Sequence, residues 1–438
     1  MRPFWQNSFF RLTLFVLAAV ALLTLGGRLV TLTGGDTCPG WPLCLPQEIS
    51  GWIGLFHRLA VGLAMALMIV LLRRAWQEQR DHRLLLPWAT LTVVLFFAQV
   101  FVGAILSTRG FPPYLVRMHA FTTIVLWIAL FGLVVLSGLY ARETVTFPPF
   151  DLRQRALDFL TLTKPVVAAL LLVTTFAGMV MGGRAWPSFS LTFWTLLGGF
   201  LAAGGSSALN QYIDRDLDKF MQRTAKRPLP AGRMTPAEGL AFGLVLLVIS
   251  FYLLAGFVNL LTAWLALAGM IYYVVFYSLL LKKSTVQNIV IGGGAGAIPP
   301  LVGWAAATGS LSIPALFLFA IVFLWTPPHF WALAIVRRKD YARARVPMMP
   351  VVRGEKETRG QIFIYTLELV ALTLLMPLLG YTGSLFLVSA LTLGAALIYA
   401  AWRVWKQEGN RVAWQMYRWS SMYLFFIFIA LAVDAVGK

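Results

Sequence analysis

A polar segment follows directly on a long apolar run: it reads NQYIDRDLDKFMQRTAKRPLPAGRM and spans residues 210–234. Asn210, Asp214 and Asp218 recur in it every four residues, so a helix places the three side chains on one face. The whole chain has only 17 acidic residues, and two carboxylates beside an apolar run are costly unless a cation accompanies them. Carboxylate and amide oxygens suit Mg²⁺, which also keeps waters and accepts phosphate oxygens as ligands. The segment therefore predicts a magnesium site.

Basic residues come soon after the acidic ones, at Arg223, Lys226 and Arg227. A guanidinium can pair with two phosphate oxygens at once, whereas a lysine supplies a compact point charge. Mg²⁺ together with two or three cations is the arrangement that a pyrophosphate leaving group requires. A solvated loop whose acids pair with its own bases is the simpler interpretation, and the scarcity of acids argues against it.

The composition indicates a polytopic membrane protein. Apolar residues make up 59% of the 438 residues and charged residues only 12%, whereas soluble globular proteins carry about 25% charged residues. This excludes an ordinary soluble enzyme, a secreted domain, a disordered chain and a coiled coil. The formal net charge is +19, from 36 basic and 17 acidic residues. Because the bases cluster between apolar runs, they indicate cytoplasmic loops, and we expect no nucleic-acid partner.

Apolar runs of about 20 residues predict helices that cross the bilayer. We predict 13 of them, at about 12–32, 52–72, 85–106, 117–139, 165–182, 190–210, 239–257, 259–281, 285–305, 313–333, 361–380, 384–402 and 417–436. The Lys- and Arg-rich loops alternate correctly if the N-terminus is cytoplasmic and the C-terminus is outside. The expected fold class is an all-α membrane protein. A polar linker, 141–164, separates a four-helix bundle module (1–140) from a nine-helix module (158–438).

Several motifs of the second module occur together and in order. They are the residues Asn210, Asp214, Asp218, Met221, Arg223, Thr224, Arg227, Pro228 and Leu229, then YSLLLKK (277–283), GGGAGAIPPLVGW (292–304), WTPPHFWALAI (325–335) and KDYARARVPMMPVVRG (339–354). This pattern resembles the UbiA-type intramembrane prenyltransferases and, within them, the heme O synthases (protoheme IX farnesyltransferases). The resemblance covers about residues 158–436.

The resemblance implies a reaction and a set of site residues. The reaction transfers the farnesyl group of farnesyl diphosphate to the vinyl group of heme B, and water addition then gives heme O. Asp214 and Asp218, assisted by Asn210, are expected to hold Mg²⁺ and to form the catalytic set. The residues expected to bind the diphosphate are Arg223, Arg227, Lys282 and Lys283. The resemblance also implies a site near the cytoplasmic face of the plasma membrane.

Two further residues are candidates for contact with the heme substrate. His329 lies in TPPHFW at the end of a predicted span, where it contacts the porphyrin or transfers a proton near it; helix packing is the alternative. Asp340 lies where the family has its second acidic region. It is the one acid that this loop supplies there, so a surface ion pair is the alternative role.

A histidine pair marks the first module. His57 and His119 lie at similar depth in the second and fourth predicted spans, and such residues can face each other across an antiparallel bundle. Bis-histidine ligation of heme iron is the chemistry that this arrangement suggests. Cys38 and Cys44 lie in a loop predicted to be outside, where a disulfide persists; two free thiols are the alternative.

The surroundings of this pair resemble one half of a heme A synthase. The matching segments are GGRLVTLTGGDTCPGWPLC (26–44), FHRLAVGL (56–63), QVFVGAILSTRG (99–110) and RMHAFTTIVLW (117–127). The resemblance implies a heme bound by His57 and His119 and a disulfide between the two cysteines. The second half of that family is missing, and Gly54 stands where the family has a glutamate, so we expect a heme-binding or structural appendage without heme A synthase activity.

Two other functions fit parts of the sequence. A UbiA-type prenyltransferase that acts on a quinone precursor or a chlorin would share the magnesium site and differ in its acceptor pocket. A non-catalytic heme carrier or assembly factor would bind heme through the histidine pair without needing Mg²⁺. The expected partners are farnesyl diphosphate, heme B, the lipid bilayer, and a heme A synthase or terminal oxidase assembly.

Overall fold

The computed structural model describes residues 7–33, 42, 45–108, 112–141 and 151–437, and all regular secondary structure in these ranges is helical. Thirteen helical segments of the described chain are long and apolar enough to cross a membrane, so the predicted fold class and span number are confirmed. Cys38, Cys44 and positions 142–150 of the predicted linker lie outside the described residues. The helices are α1 (Ser8–Leu32), α2 (Ile49–Glu78), α3 (Leu85–Thr108), α4 (Pro113–Tyr140), α5 (Leu152–Thr163), α6 (Pro165–Gly183), α7 (Phe189–Asp218), α8 (Pro236–Phe257), α9 (Leu260–Ile271), the π-helical segment π1 (Tyr272–Leu281), α10 (Asn288–Ala297), α11 (Pro299–Thr308), α12 (Ile313–Val336), α13 (Arg338–Arg343), α14 (Met349–Val352), α15 (Gly354–Leu378), α16 (Ser384–Lys406) and α17 (Asn410–Val436).

The chain forms two compact units. Unit 1 consists of residues 1–155 and 234–252, and unit 2 consists of 156–233 and 253–438. In unit 1, α1 packs against α2 and α4, and α3 packs against the same two helices, which makes a four-helix ring. The sequence did not predict that residues 234–252 group with this ring, and the module boundaries proposed from the sequence remain a prediction.

A buried charge cluster explains why residues 234–252 belong to unit 1. Glu238 in the first turn of α8 is 1% exposed, and its carboxylate accepts a 2.6 Å hydrogen bond from Arg80 and lies 3.3 Å from Arg155. The Thr235 N–H donates to the same carboxylate at 2.7 Å, and the Glu238 N–H donates to Thr235 Oγ1 at 3.2 Å. This reciprocal pair is a capping box, so one acid both begins α8 and attaches it to unit 1.

Two helices of unit 2 approach each other so closely that only glycine fits between them. A Cβ on Gly303 of α11 would lie 1.8 Å from the Thr175 carbonyl oxygen of α6, and one on Gly178 would lie 2.3 Å from the Pro300 carbonyl oxygen. Small residues let membrane helices pack backbone against backbone. Such close packing stabilises helix pairs in a bilayer, where burying apolar side chains away from lipid gives no hydrophobic gain. The crossing fixes α6, whose first turn borders the site described below.

The π-helical segment changes which side chains share a face. Over Tyr272–Leu281 the hydrogen bonds run from residue i to i+5, and Lys282 N donates to Tyr277 O at 2.9 Å in the same pattern. Because this pattern holds more residues in each turn than an α-helix does, side chains four and five apart point the same way. Tyr273, Ser278 and Lys282 are therefore presented together towards α7.

Candidate active site

The acidic residues of α7 meet in the last turns of that helix. Asn210, Asp214 and Asp218 are all buried, and the Asn210 amide donates to Asp214 Oδ2 at 2.7 Å and to Ser278 Oγ at 3.0 Å. The four-residue spacing thus brings them together on one face, as the sequence predicts. Asp216, between the two buried acids, points outward and pairs with Lys219 at 3.0 Å.

Three cations from separate segments surround this face. Lys282, which follows π1, pairs with Asp214, and Arg227 pairs with Asp218 at 2.6 Å. Lys164, just before α6, donates to Asn210 Oδ1 at 3.2 Å. Arg223 and Lys283, also predicted to bind diphosphate, are exposed. The structure therefore brings Arg227 and Lys282 to the acids, and it adds Lys164, which the sequence did not suggest.

The donor set fits a magnesium ion. Asp214 Oδ1 is buried and has no hydrogen-bond partner in the described part of the chain, so one carboxylate oxygen is available as a ligand. The described residues contain no group of three or more His, Cys, Asp or Glu that could hold a metal ion. Two carboxylates and an amide suit Mg²⁺ nevertheless, because this ion usually takes its remaining ligands from water and substrate phosphates.

The surroundings of Lys164 act on its protonation. Burial, together with the positive charges of Arg227 and Lys282, lowers the pKa of its amine to about 7, although the negative charges of Asp218 and Asp214 oppose this shift. A buried ammonium loses its hydration, which favours the neutral form. A bound anion would favour the charged form again.

Tyrosines line the same region; two of them, Tyr277 and Tyr341, lie in motifs quoted from the sequence but were given no role there. Tyr341 of α13 lies close enough to Arg223, Lys282 and Asp340 to interact with their charges, and burial raises the pKa of its phenol, with Arg223 opposing. Tyr277 of π1 packs against Gly292, where a Cβ would lie 2.3 Å from its ring. Hydrophobic patterning could not have found these residues, because a tyrosine in a membrane helix looks like any other apolar position.

The two residues predicted to contact heme make internal contacts. His329 Nδ1 lies 2.7 Å from Ser420 Oγ, and its ring stacks between Trp325 and Tyr417 at 4.2 and 4.5 Å. Asp340 accepts a 2.6 Å hydrogen bond from Arg343. These contacts correspond to the packing and ion-pair alternatives, and heme contact by either residue remains a prediction.

A cleft of about 400 Å³ opens near the start of α15 in unit 2. Its lining includes Ser284, which is two residues from Lys282 along the chain, and Arg353. The indole of Trp331 also lines it, and this buried N–H has no hydrogen-bond partner among the described residues. The lining thus combines apolar and polar residues with one cation, Arg353, and one acid, Glu357.

The histidine pair of unit 1 lies against glycines. A Cβ on Gly26 would lie 3.3 Å from His57 Nδ1, and one on Gly103 would lie 3.2 Å from His119 Cε1. His119 Nε2 lies 2.9 Å from the Gln99 amide, its buried Nδ1 has no hydrogen-bond partner within the described ranges, and the two imidazoles are close enough to interact electrostatically. Two neighbouring imidazoles, one of which has a buried nitrogen without a partner in the described part of the chain, have the chemistry that heme iron requires.

A model of the UbiA prenyltransferase family matches residues 171–428. The chain belongs to the UbiA prenyltransferase family. The matched range contains the acids of α7, Arg227 and Lys282. The family that the motifs predicted is confirmed.

Several curated relatives to which this chain is similar are protoheme IX farnesyltransferases. A protoheme IX farnesyltransferase of Roseiflexus sp. (strain RS-1) is 44% identical over 426 residues, which are 91% of this chain and 79% of the relative. That of Chloroflexus aurantiacus is 41% identical and covers 95% of this chain and 70% of its own. That of Symbiobacterium thermophilum is 49% identical over 279 residues, which are 93% of its length but 63% of this chain. This chain therefore carries a segment without a counterpart in the shorter UbiA relative.

Solved UbiA structures share the fold of part of the chain. A digeranylgeranylglyceryl phosphate synthase superposes with a TM-score of 0.56 at 17% identity and covers 65% of this chain and all of its own. A UbiA homolog from Archaeoglobus fulgidus bound to GPP and Mg²⁺ gives 0.50 at 15% identity, over 64% of this chain and all of its own. At these identities the likeness establishes the UbiA fold and not a substrate.

Proposed function

We propose that this chain transfers a farnesyl group from farnesyl diphosphate to a vinyl group of heme B and so makes heme O. The observation that carries the proposal is the pairing of Asp214 and Asp218 with Lys282 and Arg227 at the end of α7. The protoheme IX farnesyltransferases that match most of this chain support heme as the acceptor. They also argue against a quinone precursor or a chlorin.

Each residue has a part in this reaction. Asp214 and Asp218, assisted by Asn210, would hold Mg²⁺, whose positive charge polarises the departing phosphate oxygen. Lys282, Arg227, Arg223 and Lys283 would neutralise the diphosphate. Because Lys282 and Arg227 are paired with the acids before the reaction, they stabilise developing charge without reorganising.

The bond changes balance as follows. The bond between farnesyl C1 and the diphosphate oxygen breaks, and both electrons leave with the diphosphate. The π electrons of the heme vinyl group form the new bond to C1, which leaves a cation on the adjacent vinyl carbon. Water adds to that carbon and loses a proton, which gives the hydroxyethylfarnesyl group. A bilayer setting suits both reactants, because each has an apolar body and a charged end.

Replacing the metal carboxylates tests the proposal. Asp214→Asn and Asp218→Asn each remove a charge from the predicted metal site, so heme O formation in a reporter cell should fall by roughly 100-fold or more. Asp216→Asn is the matched control, because Asp216 lies between the two acids and is exposed. It should make heme O at the normal level.

The outcome against the proposal is equally specific. Normal heme O in both carboxylate variants, at protein levels equal to the parent, would exclude a metal-assisted reaction at this site. Equal loss in all three variants would mean that the whole end of α7 has been disturbed. Pigments are extracted from the cells and separated by chromatography.

For the acceptor, we infer that the cleft beside Ser284 receives the carboxylate end of the porphyrin. The Trp331 indole and the Arg353 guanidinium are the donors that a propionate would need there. Lys282, two residues before Ser284, already reaches Asp214, so the cleft adjoins the acids along the chain. His329 and Asp340 stay predicted neighbours of the heme.

For unit 1, we infer that His57 and His119 hold a heme. The proximity of the two imidazoles and the buried Nδ1 of His119, which has no hydrogen-bond partner among the described residues, support this assignment. Within this multi-pass membrane protein we keep the predicted orientation, with the N-terminus cytoplasmic and the prenyl-transfer site near the cytoplasmic face of the plasma membrane. A heme A synthase or a terminal oxidase assembly remains the proposed protein partner.

A further inference from the structure

The residue that precedes α6 has a backbone conformation that lysine rarely adopts. Lys164 has φ +48° and ψ +62°, in the left-handed region. A residue with a Cβ is strained in such a sparsely populated region, and the conformation persists only where the surroundings enforce it. Pro165 follows directly and constrains this residue further. Among the described non-glycine residues only Arg184 and Arg345 share a positive φ.

The strained backbone aims the side chain into the α7 site. Lys164 Nζ donates to Asn210 Oδ1 at 3.2 Å, and the Asn210 amide nitrogen donates to Asp214 at 2.7 Å. The Lys164 amine is also close enough to Asp218 and Arg227 to interact with their charges. It therefore belongs to the same cluster as the predicted metal and diphosphate residues, although it lies 46 residues before Asn210 in the chain.

We propose that Lys164 binds the diphosphate of the prenyl donor, held in place by its left-handed backbone at the start of α6. This inference rests on the proposed function and extends it by one residue. Lys164, Arg227 and Lys282 approach the acids from three different segments, so together they could enclose a polyanion. The ammonium that bonds Asn210 is thus one residue away from Asp214, which would hold Mg²⁺.

The role follows from where charge develops in the reaction. As the C1–oxygen bond breaks, both electrons move onto the diphosphate, and its negative charge at that oxygen grows. A fixed cation there stabilises the transition state more than the bound substrate. Loss of Lys164 should therefore lower kcat as well as raise the KM for farnesyl diphosphate.

A purely structural role is the competing explanation, in which Lys164 holds α6 to α7 through Asn210. The variant Lys164→Gly separates the two. Glycine adopts a positive φ without a Cβ penalty, so the backbone loses its strain while the amine is removed. If Lys164 serves the diphosphate, the glycine variant should unfold at the same temperature as the parent or higher, and yet bind diphosphate poorly.

The experiment uses the full-length protein in detergent. Its thermal unfolding temperature is measured with Mg²⁺ alone and with Mg²⁺ plus inorganic diphosphate, and initial rates are measured with farnesyl diphosphate. Lys164→Gly and Lys164→Gln should weaken diphosphate binding and lower kcat, each by roughly tenfold or more. Lys164→Arg should recover part of both. Lys219→Gln, at an exposed lysine that pairs with Asp216, should behave like the parent.

Each result decides one point. If the parent is not stabilised by Mg²⁺ with diphosphate, the proposed function itself fails. If the parent is stabilised and Lys164→Gly is stabilised equally, only the assignment of Lys164 fails. A glycine variant that unfolds at lower temperature without diphosphate would instead establish the structural role.

Discussion

At the scale of single residues, the buried indole of Trp331 is informative because its N–H has no partner among the described residues. A buried donor without a hydrogen bond costs about 1–3 kcal/mol, and a fold keeps such a group where a ligand completes it. Trp331 is 1% exposed and its ring packs edge-on against Tyr365 at 5.3 Å. The ring is therefore closely packed, and it belongs to a residue that lines the cleft.

Trp331→Phe tests the acceptor cleft. Phenylalanine keeps an aromatic ring but removes the N–H donor, so the KM for heme should rise roughly tenfold, as expected for one hydrogen bond to a carboxylate. The KM for farnesyl diphosphate should stay unchanged, which serves as the internal control, whereas the unfolding temperature should fall because the smaller ring leaves a cavity. An unchanged KM for heme would remove Trp331 from the acceptor site.

Local spacing explains which site residues could be predicted. Asn210, Asp214 and Asp218 share a face because they lie on one helix, and this follows from four-residue spacing alone. Lys164 reaches them only because its backbone is left-handed and because α6 packs beside α7. The composition and periodicity of the sequence around residue 164 reveal neither this backbone conformation nor the packing of α6 beside α7. Tyr341 joins the site for the same non-local reason.

At the scale of helices, the crossing of α6 and α11 depends on the absence of two side chains. Gly303→Ala would put a Cβ against the Thr175 carbonyl oxygen. This oxygen belongs to the backbone of α6, so it cannot move aside as the end of a flexible side chain could. The two helices would have to separate, at a cost of about 1–3 kcal/mol or more. We expect a lower thermal unfolding temperature and reduced heme O formation.

Gly296→Ala is the matched control for the crossing. Gly296 lies in α10, and a Cβ there would meet nothing within 4 Å. Since alanine favours helix over glycine by about 1 kcal/mol, this variant should be as stable as the parent or slightly more stable. Equal destabilisation by both substitutions would show that the crossing is not what makes Gly303 necessary.

Span positions could be predicted because about 20 apolar residues suffice to cross the bilayer. The helix ends could not, since polar residues continue several helices past their apolar runs: α15 begins at Gly354, before the predicted 361. The switch to π-helix at Tyr272 was also missed. An apolar run has the same composition in either hydrogen-bond pattern, so hydropathy cannot distinguish them.

At the scale of the whole molecule, the shorter Symbiobacterium relative shows that a protoheme IX farnesyltransferase can do without part of this chain. If unit 1 binds a heme, the segment that the shorter relative lacks has a separate function in this chain. Two histidines from α2 and α4 would then ligate one iron, which gives a characteristic visible spectrum.

Spectra of the purified protein test the heme in unit 1. The full-length protein should retain a bis-histidine heme, and His57→Ala or His119→Ala should each abolish its spectrum while prenyl transfer continues. His82→Gln is the control, because His82 lies in the loop after α2 and bonds the Leu85 N–H at 3.1 Å. Retention of the same spectrum by both alanine variants would exclude this pair as the ligands.

The sequence alone could not predict that residues 234–252 form one compact unit with the first helices. Arg80 and Glu238 are 158 residues apart, and each looks like an ordinary loop or helix-end charge. Only the folded chain shows that they form a buried pair. A hydropathy analysis places the module boundary at the longest polar segment, whereas the compact units are defined by which helices pack against each other.

The position of Glu238 has a consequence for biosynthesis. The ribosome delivers α1 to α4 first, but the buried carboxylate that pairs with Arg80 is supplied only when Glu238 of α8 has been made. By then α5, α6 and α7 have also been made. The Arg80–Glu238 ion pair of unit 1 can therefore form only after more than half of the polypeptide has been translated.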